Sequence, residues 1–362
     1  MRLIVTGGGT GGHVFPALEV ARFARSKQVH VAYFGSNRGQ ENQACQSEKI
    51  PFIGFDSHPV YSLKTPKGWA AMAKLVKARS AALKELRSIG ADVVFSTGGY
   101  SSAPVASAAR AAGIPVVVHE QNSVPGRTNL HIGKKAFAVA TTFHSTAQHF
   151  PGCNVVRTGL PVRAELRRAA EGRVVDELVP TILVVGGSQG AMAINEAALG
   201  AAQRMVNQDL HWIHVTGPKN FQECYPSYER LGLKDTYQMH AFLGATEMAA
   251  AYSRATVVVG RSGASTLAEL AAFRLPSVVT PYPHAFADHQ VHNAKEFAEM
   301  GAALMLSQAD LMPAELDKQI QFWLGDVERR EQAAKALALW DAPDAAERIF
   351  ELIQFAADSK KK

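Results

Sequence analysis

Short apolar runs recur along this chain, each closed by glycine or polar residues and followed by a stretch with helical spacing. Arg2 to Val5, Val29 to Phe34, Ile50 to Phe55, Ala91 to Ser96, Ile114 to Glu120 and Ala136 to Thr141 read as strands, the last of these closing the first half. Thr181 to Val185, His211 to Thr216, Tyr237 to Ala241, Thr256 to Val259 and Ser277 to Thr280 read as strands of the second half. Between them, Pro104 to Ala112 and Ala191 to Gln203 predict helices. Continuous apolar strands that alternate with helices predict parallel sheets covered on both faces. Asn154 to Leu178, with Pro161 and a charged stretch, reads as a linker. Pro313 to Lys362 reads as helical, with a frayed tail at 359–362. Both halves open with strand, glycine loop and helix, which predicts an architectural duplication: two doubly wound α/β domains facing across a cleft.

The opening loop, Thr6-Gly7-Gly8-Gly9-Thr10-Gly11-Gly12-His13-Val14-Phe15-Pro16, joins the first strand to a helix expected to begin near Pro16, with proline in its first turn. Glycines there let another molecule approach closely, and a helix N-terminus favours an anion. His13 puts a titratable imidazole in the same turn. Gly7, Gly9 and Gly12 fit G-x-G-x-x-G, but the second strand ends in Gly35-Ser36-Asn37-Arg38 with no carboxylate before Glu41. That argues against NAD, and Arg38 leaves NADP as an alternative. Thr97-Gly98-Gly99-Tyr100 is a second glycine turn, and Gly186-Gly187-Ser188-Gln189-Gly190-Ala191 a third, in which Ser188 adds a hydroxyl to a phosphate cradle. Ligands of such sheets gather at the carboxyl ends of the strands, where His13, Gly98, Gly99, Glu120 and Asn122 all fall.

In Arg261 to Glu269, Thr266 and Glu269 fit a capping box; alternatively Glu269 accepts hydrogen bonds from sugar hydroxyls. Pro281 to Asn293 concentrates His284, Asp288, His289, Gln290, His292 and Asn293. Such side chains could hold a metal, but they also suit hydrogen bonds to hydroxyls and phosphate, the reading preferred here. The chain has no D-x-D pair to hold a cation on a diphosphate, so no metal site is predicted. Anion binding by helix ends and basic side chains is expected instead.

The 362 residues, 47% hydrophobic and 19% charged, suit two globular domains. Three cysteines without a C-x-x-C pair indicate neither a disulfide framework nor a zinc site. Met1 runs straight into the first strand, so no signal peptide is expected, and no apolar run is long enough to span a membrane. A net charge of +6 suits nucleic acid, anionic lipid or phosphorylated substrates. With no nucleic-acid-binding signature, the last two are preferred. Leu63 to Arg79 mixes Trp69, Met72 and Leu75 with Lys and Arg. It reads either as a surface helix with one face in the core or as a docking element for an anionic membrane, extended by Lys134 and Lys135.

Five stretches taken in order resemble the MurG family of bacterial glycosyltransferases, which make the lipid-linked disaccharide of peptidoglycan. They are Gly7 to Ala17, Gly98-Gly99-Tyr100, His119-Glu120-Gln121-Asn122, Gly186 to Ala191 and Arg261-Ser262-Gly263-Ala264. The resemblance implies a GT-B fold of two Rossmann-like domains, 1–160 for the lipid-linked acceptor and 161–340 for the UDP-sugar, with 341–362 packing back on the first. It implies an inverting N-acetylglucosaminyltransferase that acts on UDP-N-acetylglucosamine and undecaprenyl-linked lipid I at the cytoplasmic face of the cell membrane. Donor contacts carried over by position are Thr10, Gly11, Gly12, Asn122, Arg163, Ser188, Leu243, Ala264, Ser265, Thr266, Leu267, Ala268, Glu269 and Gln290. Arg163 falls on the diphosphate side, Leu243 at the uracil, Glu269 at the ribose and Gln290 at the donor sugar. His13 is the candidate catalytic base, or alternatively a loop or acceptor binder, and Glu120 is its rival. No cofactor is required, which leaves room for stimulation by a divalent cation. Competing functions are another GT-B enzyme (a glycolipid glucosyltransferase or a UDP-sugar epimerase), an NADP-dependent oxidoreductase, or a non-catalytic sugar-nucleotide binding module.

Overall fold

In the computed structural model, which describes residues 1–58, 65–173, 179–187 and 190–360, the chain divides into two compact units. One is Met1–Pro161 with Asp344–Lys362, the other Val162–Pro343. The first unit holds β1 (Arg2–Thr6), β2 (His30–Ser36), β3 (Phe52–Phe55), β4 (Val93–Ser96), β5 (Val116–Glu120), β6 (Ala138–Thr141) and β7 (Val155–Arg157). They form one sheet in the order β3-β2-β1-β4-β5-β6-β7, and every pair is parallel. Its helices are α1 (Gly11–Ser26), α2 (Glu41–Ser47), α3 (Pro66–Ile89), α4 (Ser102–Ala111) and α5 (Arg127–Gly133). Alternation along β1 sends Leu3 and Val5 to one face, against Val14 and Leu18 of α1, and Ile4 to the other, in one cluster with Leu86 of α3 and Val105 of α4. Burial on both faces is why the central strands β1 and β4 read as near-continuous apolar runs.

The second unit contains α6 (Ala164–Glu171), β8 (Thr181–Val185), α7 (Met192–Arg204), β9 (His211–Val215), α8 (Phe221–Leu231), β10 (Tyr237–His240), α9 (Ala245–Arg254) and β11 (Val257–Gly260). It continues with α10 (Ala264–Phe273), β12 (Ser277–Val279), α11 (His289–Glu299), β13 (Ala303–Met305), α12 (Pro313–Leu324) and α13 (Val327–Trp340). Its sheet is also all parallel, in the order β10-β9-β8-β11-β12-β13. The chain then returns to the first unit as α14 (Ala345–Ser359), whose Ile349, Phe350 and Ile353 enter the core beside β1 and α1. Lys360 closes this return by donating to the Ala91 carbonyl at 2.8 Å.

Three expectations about elements are corrected. The stretch read as a linker contains β7 and α6, so β6 is not the last strand of its sheet. β7 is three half-buried residues whose pairing with β6, rather than any pattern of its own, makes it a strand. Helix α8 and strand β13 were not anticipated, the first because Pro226 interrupts its pattern. Helix α1 begins at Gly11, so Pro16 lies inside it instead of in its first turn. There proline removes the bond to the Gly12 carbonyl. Of the expected frayed tail, Lys361 and Lys362 lie outside the described residues, as do Leu63 and Lys64 of the basic segment.

Candidate active site

The strand order reverses between β1 and β4 and again between β8 and β11, the positions where open α/β sheets bind ligands. In the first unit the loops after β1 and β4 lie against each other. The Gly8 amide donates to the Gly98 carbonyl at 3.2 Å. Gly99 sits at φ 83°, and a Cβ there would stand 1.9 Å from the Gly8 oxygen, so only glycine permits this approach. Below them the buried Glu41 carboxylate accepts from the Gly9 amide at 3.2 Å. Thr10 is the extended N-cap of α1, its side chain makes no cap bond, and the first turn carries no acidic residue. Thr10 and Gly12 are exposed and Gly11 half-buried. The helix start therefore presents amides and the positive end of its dipole to an incoming anion.

His13 is in that first turn rather than in the loop, and is half-buried. Its Nδ1 lies 2.9 Å from the Thr97 carbonyl and 2.9 Å from Gln121 Oε1, while Thr97 Oγ1 donates to the His13 carbonyl at 2.8 Å. Thr97 thus holds His13 at its ring nitrogen and at its backbone carbonyl. Glu120 is buried at the end of β5. Its Oε1 accepts from the Asn122 amide at 2.9 Å and from the Asn122 side chain at 3.4 Å. Its Oε2 accepts from Asn129 Nδ2 at 2.8 Å and the Gly126 amide at 3.1 Å. Burial raises the pKa of this carboxyl, and those bonds oppose the rise. Glu120 therefore shapes the turn that carries Asn122, which is itself half-buried, with its carbonyl accepting from Thr146 Oγ1 at 2.9 Å.

In the second unit, Glu269 does not cap its helix. Gly263 is the N-cap of α10, which puts Thr266 inside the first turn and Glu269 beyond it. Its carboxylate instead accepts from Arg163 Nη2 at 3.2 Å and from the Tyr252 hydroxyl at 2.9 Å. Burial raises the Glu269 carboxyl, with the Arg163 charge opposing, and burial followed by Glu269 raises the Tyr252 phenol. Ala264, Leu267 and Ala268 are buried, while Ser265 and Thr266 are half-buried. The helix start therefore offers its backbone and the two hydroxyls, and Leu267 faces the core. Leu243 is half-buried in the turn between β10 and α9. Gln290 accepts from the Tyr282 amide at 2.9 Å, and its own carbonyl accepts from Ser262 Oγ at 2.8 Å. Ser188 lies outside the described residues.

The third glycine loop rests on a buried polar network. A Cβ on Gly190 would come within 2.3 Å of the Thr216 carbonyl, which accepts from Asn195 Nδ2 at 3.0 Å. Asn195 Oδ1 lies 3.0 Å from His214 Nε2, and His214 Nδ1 lies 2.7 Å from the Tyr237 hydroxyl. Burial pushes His214 down to about 3, so it sits neutral between the two. Among the described residues, no three His, Cys, Asp or Glu side chains converge as a metal-ligand set. His289 Nδ1 binds the Phe286 carbonyl at 2.8 Å and His284 packs on the Tyr282 ring at 5.5 Å. Thr97, Gln121, Asn129 and Tyr252 had no assigned role in the sequence. The last reaches Glu269 from another helix and leaves no local signal.

The N-terminal domain of glycosyltransferase family 28 matches residues 3–141 and its C-terminal domain residues 181–349. A UDP-N-acetylglucosamine–N-acetylmuramyl-(pentapeptide) pyrophosphoryl-undecaprenol N-acetylglucosamine transferase of Bacillus licheniformis is 33% identical over 98% of both chains. The transferase of the same name from Moorella thermoacetica is 35% identical over 99% of this chain and 100% of its own. The crystal structure of Acinetobacter baumannii MurG superposes with a TM-score of 0.81 at 32% identity, covering 98% of this chain and 99% of that one. With two all-parallel Rossmann-like units and full-length likeness above 30%, the chain belongs to the MurG family of UDP-N-acetylglucosamine-dependent N-acetylglucosaminyltransferases.

Proposed function

We propose that this enzyme transfers N-acetylglucosamine from UDP-N-acetylglucosamine to the 4-hydroxyl of N-acetylmuramic acid in undecaprenyl-linked lipid I, with inversion, giving lipid II for peptidoglycan. The observation that carries this is full-length likeness to transferases named for that reaction. The 4-hydroxyl attacks the anomeric carbon, the bond to UDP breaks, and a base takes the hydroxyl proton. His13 is that base. It stands on a rigid helix start with its ring held by Thr97, whereas Glu120 spends both oxygens on its own loop. The leaving diphosphate is stabilised by amides at helix starts and by Arg163.

Donor binding is assigned mainly to residues 161–340. Glu269, fixed by Tyr252 and Arg163, accepts the ribose hydroxyls; Leu243 meets the uracil through its backbone; Ser188, Ala264 to Ala268 and Gln290 line the phosphates and sugar. Thr10, Gly11, Gly12 and Asn122 complete the donor contacts, and the rest of residues 1–160 takes the acceptor. No cofactor takes part, and stimulation by a divalent cation is left to assay. No helix among the described residues is long and apolar enough to cross a membrane. The enzyme works at the cytoplasmic face of the cell membrane, held by anionic lipid. Supporting this, Trp69 and Val76 of α3 are 65% and 55% exposed, and Lys67 and Lys77 of the same helix and Lys134 and Lys135 after α5 are exposed as well.

The test is transfer of labelled N-acetylglucosamine from UDP to a lipid I analogue. A β-1,4 disaccharide product is expected. Binding of UDP without transfer would leave a binding module instead.

A further inference from the structure

Two buried side chains behind His13 form a hydrogen-bond chain that runs in one direction. His119 Nε2 lies 2.8 Å from the Gly159 carbonyl, an acceptor only, so Nε2 carries the proton and Nδ1 is a lone pair. Gln121 Nε2 lies 3.0 Å from that Nδ1 and 2.9 Å from the His119 carbonyl, so its amide group must turn NH2 toward His119. The amide oxygen is then left facing His13 Nδ1 at 2.9 Å. Gln121 Nε2 also reaches the Thr97 carbonyl at 3.0 Å, and Asn129 Nδ2 approaches the same oxygen at 3.5 Å. Thr97 therefore shares its lone pairs among several donors, whereas Gln121 Oε1 serves His13.

The geometry points to Gln121, oriented by His119, as a positioning residue that holds His13 in the Nδ1–H tautomer with Nε2 as its basic nitrogen. A ring nitrogen that meets two carbonyl oxygens must donate to bind either, and the lone pair of a neutral imidazole then belongs to the other nitrogen. The partner that fixes one nitrogen selects the chemistry of the other, as with metal-bound histidines. Burial supports the lock, since His119 is pushed down to about 4 and stays an acceptor at neutral pH. The ionisable groups joined to this network are His119 itself and Glu120, which is tied in through Asn129. Glu41 holds the adjoining glycine loop. The inference rests on the assignment of His13 as base, and its test separates the two.

The tautomer is read on the full-length resting protein by nitrogen-15 NMR of the His13 ring, beside kinetics of transfer to a lipid I analogue. In the unmodified enzyme the Nδ1–H form is expected. In Gln121→Met its population falls, and kcat drops at least about tenfold while KM for UDP-N-acetylglucosamine stays within about twofold. In Gln121→Glu a carboxylate replaces the amide oxygen, and the acid limb of kcat/KM moves up by about one pH unit or more. A glutamine that did not touch the His13 ring would not move that limb. Finding the Nε2–H form in the unmodified enzyme, or an unchanged tautomer and acid limb in the variants, would overturn the lock. Full turnover by His13→Ala would instead remove the base assignment, while the NMR result on the lock stands by itself.

Discussion

Arg163 and Glu269, remote in sequence, meet in the second unit with Nη2 of the arginine 3.2 Å from Oε1 of the glutamate. On the roles proposed above, the pair would set a cation for the diphosphate beside a carboxylate for the ribose hydroxyls. The Tyr252 hydroxyl fixes the other carboxylate oxygen at 2.9 Å. Glu269→Ala is expected to weaken UDP binding by about 3–6 kcal/mol, the loss of two hydrogen bonds to a charged acceptor. Tyr252→Phe should cost about 1 kcal/mol, because it removes only the support. Calorimetric titration with UDP checks both, and equal losses would show that Glu269 does not touch the nucleotide.

His13→Ala should lower kcat by about 10²–10⁴-fold, with the unfolding temperature and the KM for UDP-N-acetylglucosamine nearly unchanged. Glu120→Gln should behave differently. Replacing a carboxylate oxygen by NH2 sets a donor against the Gly126 or Asn122 amide, so stability falls by about 1–3 kcal/mol. A rate loss at Glu120 with unchanged unfolding temperature would return the base role to it.

Stability should fall with acid. His119 and His214 are buried neutral, pushed down to about 4 and about 3. The unfolded chain binds their protons from about pH 6.5 downward. The folded state is therefore penalised as pH falls below that value, by about 1.4 kcal/mol per pH unit for each ring, until the folded pKa is reached. In His214→Gln, which keeps a donor and an acceptor, the slope between pH 6.5 and 5 should flatten by about that amount in urea unfolding. An unchanged slope would mean that His214 is protonated in the folded protein.

Gly99→Ala and Gly113→Ala separate strain from collision. Both glycines have positive φ, 83° and 68°, but a Cβ at Gly113 meets nothing within 4 Å while at Gly99 it meets the Gly8 oxygen at 1.9 Å. Gly113→Ala should cost about 1–2 kcal/mol from backbone conformation alone. Gly99→Ala should cost more and also lower transfer activity, since the loops after β1 and β4 must part. Similar unfolding temperatures for the two variants would refute the back-to-back arrangement.

Membrane attachment is tested on α3. Lys67→Glu with Lys77→Glu should reduce flotation with anionic vesicles by about thirtyfold or more, from about 1 kcal/mol for each lost lysine near a charged surface. Trp69→Asn should reduce it further through lost interfacial burial. Equal flotation with neutral and anionic vesicles would count against the docking surface.

Much of the fold was legible because strands buried on both faces must be apolar over their whole length. Leu3-Ile4-Val5 and Ile182-Leu183-Val184 announce themselves whatever surrounds them. The glycine loops were equally legible, since a close approach such as Gly99 to Gly8 admits no other residue. β7, β13 and α8 escaped because short edge strands and a helix with an internal proline take their structure from neighbours instead of from their own pattern. Thr266 and Glu269 show the same limit at the site. Their spacing satisfies a capping box, but the chain caps α10 at Gly263 and hands Glu269 to Arg163 and Tyr252.

The order of apolar runs, glycine turns and polar strand ends by itself determined two parallel α/β units and the family to which the chain belongs. Which atom of His13 carries a proton, which oxygens Glu120 commits to its loop, and that Tyr252 stands behind Glu269 were decided only in three dimensions. Local pattern records what each residue must bury, while hydrogen bonds between remote side chains depend on distances that arise only once the sheets are assembled.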